Sequence, residues 1–339
     1  MPRLSPVTTL FTGLISVNLL AWLWALVAFR DYPLLLGTAV LAYSFGLRHA
    51  VDADHIAAID NATRKLIQEG QPTASVGLFF SLGHSSVVII ASALIAFSAA
   101  SLQDELNAFH GVGAVIGTSV SAGFLLLVAL INLVILRSVY RAFRRVRQGE
   151  RLGEAELHGM LAGGGVIARL TRPLFRLIRR SWHLYPLGFL FGLGFDTATE
   201  IGLLGIAASQ AVQNLPVLSI MVFPALFTAG MALVDSADSV LMTGAYRWAE
   251  VRPARKLYYN LTITSASVLV ALLIGSMEAL NLIGDQLGLE GGAWDFIAQV
   301  NESFGLFGYL IVGLFAATWA LSWAFYRYKG YDRLDLTPA

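Results

Sequence analysis

The sequence predicts an all-α, polytopic integral membrane protein with eight transmembrane helices and both termini on the cytoplasmic side. Three observations predict this class: the composition, the number of long apolar runs, and the distribution of basic residues. The 339 residues are 56% hydrophobic and 13% charged, with a mean hydropathy of +0.67. Soluble domains carry about 25% charged residues, so a water-soluble protein is excluded. The net charge of +1 gives no reason to expect a nucleic-acid partner.

Eight apolar runs approach the length of about 20 residues that crosses a bilayer. The first follows Arg3 and extends from Val7 to Phe29, longer than the core of a signal peptide, which predicts an uncleaved first span. The chain 1–339 is therefore predicted to be a single membrane domain. The spans are predicted near residues 8–29, 33–59, 74–100, 112–136, 184–210, 217–242, 258–283 and 304–326.

The basic residues predict the orientation of these spans. Segment 138–182, between spans four and five, contains ten arginines, and positively charged loops stay on the cytoplasmic side. Counting outward, the basic groups near residues 64, 247–256 and 327–333 fall on that same side, and only Arg30 lies at an outer end. One missing or extra span would destroy this separation. We therefore expect a multi-pass protein of the cell membrane, the inner membrane in a bacterium, with 138–182 as a long basic cytoplasmic loop.

The second span contains an unusual density of ionisable side chains, in the run Arg48-His49-Ala50-Val51-Asp52-Ala53-Asp54-His55-Ile56. On a helix with about 100° per residue, Asp52 lies at about 300°, His55 at about 240° and Asp60 at about 20° from His49. One face thus presents two imidazoles and two carboxylates. Asp54, at about 140°, points elsewhere and would pair with Arg48 or orient a ligand. The alternative interpretation is a salt-bridged helix end at the cytoplasmic surface.

Three further spans contain ionisable groups, which are costly inside a membrane and therefore indicate function. The third contains His84, which alone would more often be a hydrogen-bonded core histidine. The fifth contains Asp196 and Glu200, and the sixth contains Asp235 and Asp238. Carboxylates one helical turn apart in an apolar medium repel each other unless a cation or a proton lies between them. Both pairs therefore predict cation binding.

Depth connects the four spans. With about 1.5 Å of rise per residue, all of these histidines and carboxylates lie within about 6–24 Å of the predicted cytoplasmic boundary. Unrelated polar residues would not be expected to fall at similar depths. We therefore predict one polar site buried among spans two, three, five and six.

The residue types limit the ion. The chain has no cysteine, so any ligands are nitrogen and oxygen, and cuprous copper is disfavoured. The histidines disfavour magnesium and calcium, because those ions prefer oxygen ligands. Imidazole with carboxylate suits nickel and cobalt but also zinc and manganese, and ligand type alone does not separate these. Coordination geometry would distinguish these ions.

Four runs resemble the signatures of the nickel/cobalt transporter family of secondary permeases. They are the second-span run with His49, Asp54 and His55, the Leu-Gly-His-Ser-Ser-Val-Val run around His84, Leu193 to Ile201, and Gly230 to Asp238. The resemblance covers nearly the whole chain and implies that His49, Asp54 and His55 are required for transport. Asn18, with Trp22 and Trp24, is similar to a first-span pattern in which the asparagine affects selectivity; its alternative is a helix–helix hydrogen bond. The chain departs from the family at Ser239, where glycine is usual, and at Ser85-Ser86, where Ser-Thr is commoner.

The function expected is uptake of Ni²⁺ or Co²⁺ as a transported substrate, with no resident cofactor and no enzymatic activity. His49, His55 and Asp52 or Asp54 would coordinate the ion, and Arg48 would compensate negative charge. A helix broken near Ala53 would bring Asp54 into the site, since transporters often use discontinuous helices at ion sites. The remaining candidates are further ligands or gates: His84, Asp196, Glu200, Asp235 and Asp238. The alternatives are a zinc or manganese transporter or exporter, a proton- or sodium-coupled exporter or sensor, and an intramembrane metalloenzyme.

Overall fold

The computed structural model describes residues 5–98, 103–148, 178–194, 198–213, 215–249 and 253–328. Within these ranges the secondary structure is helical throughout and contains no strand. A 3₁₀ turn at Ser181–His183 precedes the sixth helix. The helices are α1 (Pro6–Ala28), α2 (Pro33–His49), α3 (Ala53–Gln68), α4 (Val76–Ser98), α5 (Gln103–Arg147), α6 (Leu184–Gly192), α7 (Ala198–Val212), α8 (Val217–Ile220), α9 (Val222–Ala249), α10 (Pro253–Leu287), α11 (Ala293–Glu302) and α12 (Phe304–Tyr328).

The described helices have the lengths and the apolar surfaces of membrane spans. Five segments, in α1, α4, α5, α8 with α9, and α10, are long and apolar enough to cross a bilayer, and α2 with α3 forms a sixth if this bent pair is one span. Large apolar side chains such as Leu19, Val27 and Leu34 are exposed on the outside of the bundle. In water such a surface would be unfavourable, but in a bilayer it contacts lipid. The chain is a multi-pass membrane protein.

Two of the predicted spans are interrupted. Helix α2 ends at His49 and α3 begins at Ala53, with an angle of 50° between the two helices. Asp52 between them has extended backbone angles, φ −65° and ψ 149°. The break predicted near Ala53 is therefore confirmed. In the fifth span α6 ends at Gly192 and α7 begins at Ala198, and residues 195–197 lie outside the described part of the chain.

Helices α4 and α9 lie at the centre of the bundle, against each other and against both broken spans. Helix α2 packs on α9, and α6 packs on α4, while α5 and α10 form a separate pair beside them. Two hydrophobic clusters result. One joins α1, α2, α7 and α9 around Phe223 and Phe227, and the other joins α3, α4 and α6 around Phe80 and Leu184.

Helix α3 is enclosed by protein on every side. From Ala53 to Leu66 every residue except Asp54 is buried, including six polar or charged ones: His55, Asp60, Asn61, Thr63, Arg64 and Lys65. It continues to Gln68, beyond residue 59 where the span was predicted to end. Helix α5 likewise continues to Arg147, and most of the predicted loop 138–182, residues 149–177, lies outside the described residues.

Candidate metal site

Three histidines from three helices meet beside the break in the second span. His49 is the last residue of α2, His55 lies in the first turn of α3, and His84 lies in α4. Their ring centroids are 4.6–4.8 Å apart, and each side chain offers one nitrogen within 4.8 Å of the other two. All three are 3% exposed or less. We call these residues the histidine cluster.

The closest approach within the histidine cluster joins His49 Nε2 and His84 Nε2, which lie 2.9 Å apart. Each neutral imidazole has one N–H and one lone pair, so two ring nitrogens at this distance share either a proton or a cation. His55 Nε2 has no hydrogen-bond partner among the described residues, and neither has His84 Nδ1. Burying such atoms without a partner is unfavourable. The cluster therefore has nitrogen lone pairs available to an ion.

Each histidine also has a carboxylate partner. Asp52 Oδ2 lies 3.0 Å from His49 Nδ1, and Glu200 Oε1 lies 2.8 Å from His84 Nε2. Asp235 approaches His55 Nδ1 with both oxygens, at 3.4 and 3.5 Å. Glu200 is also 4.0 Å from His49 Nε2, so its carboxylate faces two imidazoles at once. These contacts bring α2, α3, α4, α7 and α9 together at one point.

The carboxylates at this centre are buried and need a proton or a positive charge nearby. Asp52, Glu200 and Asp235 are all 4% exposed or less. The basic residue nearest in sequence, Arg48, is exposed and forms no ion pair within 4.0 Å with a described carboxylate. Buried charges without a partner cost several kcal/mol each. Protons or a bound cation must therefore offset the buried negative charge.

Several residues selected from the sequence lie outside the histidine cluster. Asp54 is half-buried at the start of α3 and makes no hydrogen bond or ion pair with a described residue. Asp238 is partly exposed, and its Oδ2 has no hydrogen-bond partner within the described ranges. Asp196 falls in 195–197, outside those ranges. Ser239, the departure from the family pattern, is buried within the continuous helix α9 and donates to Ser236 O at 3.1 Å.

Asn18 makes the helix–helix contact that was its alternative interpretation. Its amide donates to Ala229 O at 3.1 Å, and Tyr43 Oη donates to Asn18 Oδ1 at 2.9 Å. These two bonds join α1 to α9 and to α2. The hydrogen bonds of Asn18 thus hold α1, α2 and α9 together and do not involve a histidine of the cluster.

Asp60 does not join the histidines, although the helical projection placed it on their face. It accepts hydrogen bonds from Tyr246 Oη at 2.6 Å and from Ser267 Oγ at 2.7 Å. The projection assumed one continuous helix, and the break between His49 and Ala53 rotates Asp60 away. Asp60 instead connects α3 to α9 and α10, in a polar centre separate from the histidine cluster.

Sequence reasoning missed three residues that touch the histidines. Thr199 Oγ lies 3.2 Å from His49 Nδ1. The Phe80 ring packs edge-on against His55 at 4.9 Å between centroids, and the Phe227 ring lies 5.6 Å from that of His49. Thr199 adjoins Glu200 and could have been selected on that ground. Nothing in the local sequence distinguishes Phe80 and Phe227 from the other phenylalanines.

Comparison with known proteins assigns the family. Residues 35–325 match the NicO family, described as high-affinity nickel-transport protein. The chain belongs to the NicO family. It is 57% identical over 331 residues to a high-affinity nickel transport protein of Cupriavidus necator, covering 98% of this chain and 94% of that protein. The resemblance to nickel/cobalt permeases is thus confirmed.

Less similar relatives include proteins named as nickel transporters and one named as a cobalt transporter. The chain is 46% identical over 310 residues to the nickel transporter NixA of Staphylococcus aureus, covering 91% of this chain and 90% of the relative. It is 38% identical over 288 residues to the cobalt transport protein NhlF of Rhodococcus rhodochrous, covering 84% and 81%. No solved structure matches the chain.

Proposed function

We propose that this NicO chain takes up Ni²⁺, and Co²⁺ as a second substrate, across the cell membrane through the histidine cluster. The single observation that carries the proposal is the convergence of three buried imidazoles, each with a carboxylate partner, at a break in a membrane span. Imidazole is a preferred ligand of both ions, and nickel and cobalt transporters are among the relatives. The ion is the transported substrate, and no resident cofactor is part of the proposal.

The contacts suggest a role for each side chain. Asp52 and Asp235 lie on Nδ1 of His49 and His55, which leaves Nε2 of each ring to bind the ion. Carboxylates in that position fix the tautomer and orientation of a metal-binding histidine. Glu200 instead lies on Nε2 of His84, the nitrogen that faces His49, and would join the ion as an oxygen ligand. Asp54, Asp196 and Asp238 are proposed as residues of the ion's path, and Arg48 as a more distant charge.

Two of the three spacings among His49 Nε2, His84 Nε2 and Glu200 Oε1 are shorter than tetrahedral coordination requires. Two nitrogens 2.9 Å apart, each about 2.1 Å from one ion, subtend an angle of about 87° there. The 2.8 Å separation of His84 Nε2 and Glu200 Oε1 corresponds to about 84° with the same bond length. Tetrahedral ligands, which zinc prefers, would be about 3.4 Å apart. The third spacing, 4.0 Å between His49 Nε2 and Glu200 Oε1, corresponds to about 144° with the same bond length. The preference for nickel and cobalt is therefore proposed from the relatives and from the nitrogen ligands.

We further propose eight spans with both termini in the cytoplasm. The five apolar helices and the α2–α3 pair account for six spans, and the α6–α7 pair and α12 supply the other two. The basic segment 138–182 would then lie in the cytoplasm against anionic lipid headgroups. Because the chain has no cysteine, single cysteines at Gln148 and Gly291 can be labelled with an impermeant thiol reagent. Labelling of Gln148→Cys only in inside-out vesicles, and of Gly291→Cys only in right-side-out vesicles, supports this topology; the reverse pattern contradicts it.

Transport is tested with purified protein in liposomes. We expect wild-type protein to accumulate radiolabelled Ni²⁺, with competition by Co²⁺ stronger than by Zn²⁺ or Mn²⁺, and His49→Ala to reduce uptake to background. The matched control is His183→Ala, since His183 lies in the 3₁₀ turn and accepts a hydrogen bond from the Arg179 backbone. Uptake by His49→Ala at the wild-type rate contradicts the proposal.

The same liposomes distinguish the alternatives. Imposing and then removing a proton gradient shows whether metal movement depends on protons. Efflux of preloaded Ni²⁺ without uptake indicates an exporter, and proton flux that is independent of metal indicates a protonation-based transporter. A chemical product formed without ion movement would indicate a metalloenzyme.

A further inference from the structure

Two four-residue patterns lie where the broken spans pack against the central helices α4 and α9. Tyr-x-x-Gly is found at residues 43–46 in α2 and 185–188 in α6. Phe-x-x-Gly is found at residues 80–83 in α4 and 227–230 in α9, and it also occurs at 189–192 and 191–194 in the second broken span. Each broken span thus carries one copy of the first pattern, and each central helix carries one copy of the second.

The two helix pairs make the same contacts through these patterns. A Cβ atom on Gly46 would collide with the Phe227 carbonyl, and one on Gly188 would collide with the Phe80 carbonyl. In return, a Cβ on Gly230 would lie 3.0 Å from Tyr43 O, and one on Gly83 would collide with Tyr185 O. The α2–α9 pair and the α6–α4 pair are therefore built alike.

The two pairs are inverted with respect to each other. Helices α4 and α9 run antiparallel, since Gly77 of α4 lies against Asp235 of α9, while Val88, later in α4, shares a core cluster with Phe227, earlier in α9. The charged contacts follow the same exchange: His55 of the first broken span meets Asp235 of α9, and Glu200 of the second meets His84 of α4. Inverted repeats of this kind place a transporter's site at their interface, with broken helices around it.

Phe80 and Phe227 lie beside the histidine cluster at equivalent positions of the antiparallel helices α4 and α9. Phe80 packs with α3 and α6, and its ring touches His55. Phe227 packs with α1, α2 and α7, and its ring faces His49. Both phenylalanines are fully buried. The two phenylalanines therefore occupy equivalent positions of the two repeats, and the described residues leave the histidine cluster 3% exposed or less.

We propose that Phe227 and Phe80 are the two gate residues of the transport path, Phe227 on the outer side and Phe80 on the cytoplasmic side. The proposal rests on the proposed function, since it assigns these residues to the same ion site. Opening toward one side separates one glycine-packed pair, α2 from α9 or α6 from α4, and moves its phenylalanine off the histidine cluster. The other pair stays packed, which keeps the opposite side closed. The two gates then open alternately because the two pairs are equivalent.

A cysteine at Thr199 tests the gates, because this side chain is 2% exposed and contacts His49. Thr199→Cys in the otherwise cysteine-free chain is treated with an impermeant methanethiosulfonate reagent in right-side-out and inside-out vesicles. We expect Phe227→Ala to raise the labelling rate at least tenfold from the outer face only, and Phe80→Ala to do so from the cytoplasmic face only. The control is Phe29→Ala, which removes a fully buried ring stacked on Phe223 at 5.2 Å, in the same cluster as Phe227. This control should leave both rates unchanged.

Several outcomes overturn the proposal. The proposal is wrong if Phe227→Ala and Phe80→Ala both raise the labelling rate of Thr199→Cys from the same face. It is also wrong if Phe29→Ala raises that rate as much as they do. If an alanine variant is missing from the membrane, Phe227→Leu and Phe80→Leu replace it, with smaller increases expected on the same faces; unchanged labelling of these variants also overturns the proposal. Ni²⁺ binding is measured in parallel on the chain with Thr199 intact, because a thiolate beside His49 would itself bind the ion. Side-specific labelling without Ni²⁺ binding supports the gates and contradicts the metal assignment, whereas Ni²⁺ binding without side-specific labelling contradicts the gates alone.

Discussion

Replacement of Asp235 by asparagine tests whether this carboxylate acts on the ion through His55. Asp235 is fully buried, and its two oxygens lie 3.4 and 3.5 Å from His55 Nδ1. Asparagine keeps the volume and removes the charge that holds the ring. Losing such an orienting partner typically weakens metal affinity about 10–100-fold, which corresponds to about 1.4–2.7 kcal/mol. We therefore expect the Kd of Ni²⁺ for Asp235→Asn to rise by that factor.

Calorimetric titration of detergent-purified protein measures the affinity, and thermal unfolding measures the same effect independently. A ligand at 100 times its Kd stabilises the folded state by about 2.7 kcal/mol. At the same Ni²⁺ concentration, a 100-fold weaker variant would gain only about 0.4 kcal/mol. The Ni²⁺-induced rise in Tm should therefore largely disappear in Asp235→Asn, while the metal-free protein should not lose stability, because a buried negative charge has been removed.

Asp60→Asn is the matched control. Asp60 is equally buried, but its oxygens accept from Tyr246 and Ser267 and not from a histidine. This variant should lower the metal-free Tm and change the Kd of Ni²⁺ less than threefold. The reasoning is refuted if both variants weaken Ni²⁺ binding equally, or if Asp235→Asn binds Ni²⁺ with wild-type affinity.

Three other substitutions give distinct results. Tyr246→Phe removes the 2.6 Å hydrogen bond to Asp60 and should cost about 1.5–3 kcal/mol of stability with unchanged Ni²⁺ affinity; a lost affinity in folded protein would contradict the separation of the two polar centres. Thr199→Val removes the 3.2 Å contact to His49 and should weaken Ni²⁺ binding less than tenfold, by titration. Asn18→Ala breaks the bonds to Ala229 and Tyr43 and should change the ratio of Ni²⁺ to Co²⁺ uptake in competition assays, with binding retained; an unchanged ratio argues against a role in selectivity.

Much of the architecture could be predicted from the sequence because membrane spans have a strong composition signal. The all-helical class is confirmed, and the histidines and carboxylates selected in spans two, three, five and six include the members of the cluster. Asp52, Glu200 and Asp235 were selected because carboxylates are costly in a bilayer, and that argument depends on composition and not on packing. The eight spans and their orientation stay predictions.

The pairing within the site could not be predicted. A helical projection treats 49–60 as one rigid helix, and the break that places His55 beside Asp235 also directs Asp60 toward Tyr246. The break was expected only from the resemblance and from the position of Asp54, since its dihedral angles depend on tertiary contacts. Phe80 and Phe227 were missed because their roles follow from which helices cross, which the local sequence does not record.

The enclosure of α3 has a consequence for how the protein is made. On insertion scales a charged residue at the centre of a lone helix costs about 2.5–3.5 kcal/mol, and α3 contains the fully buried Asp60. The partners of Asp60 come from later in the chain, Tyr246 from α9 and Ser267 from α10. Arg64 donates to Asn61 within α3, and Lys65 pairs with Glu69 and donates to the Ile178 carbonyl. The partners of Asp60 therefore reach newly synthesised α3 only after most of the chain has emerged. We therefore expect α3 to take its final place in the bundle together with α9 and α10.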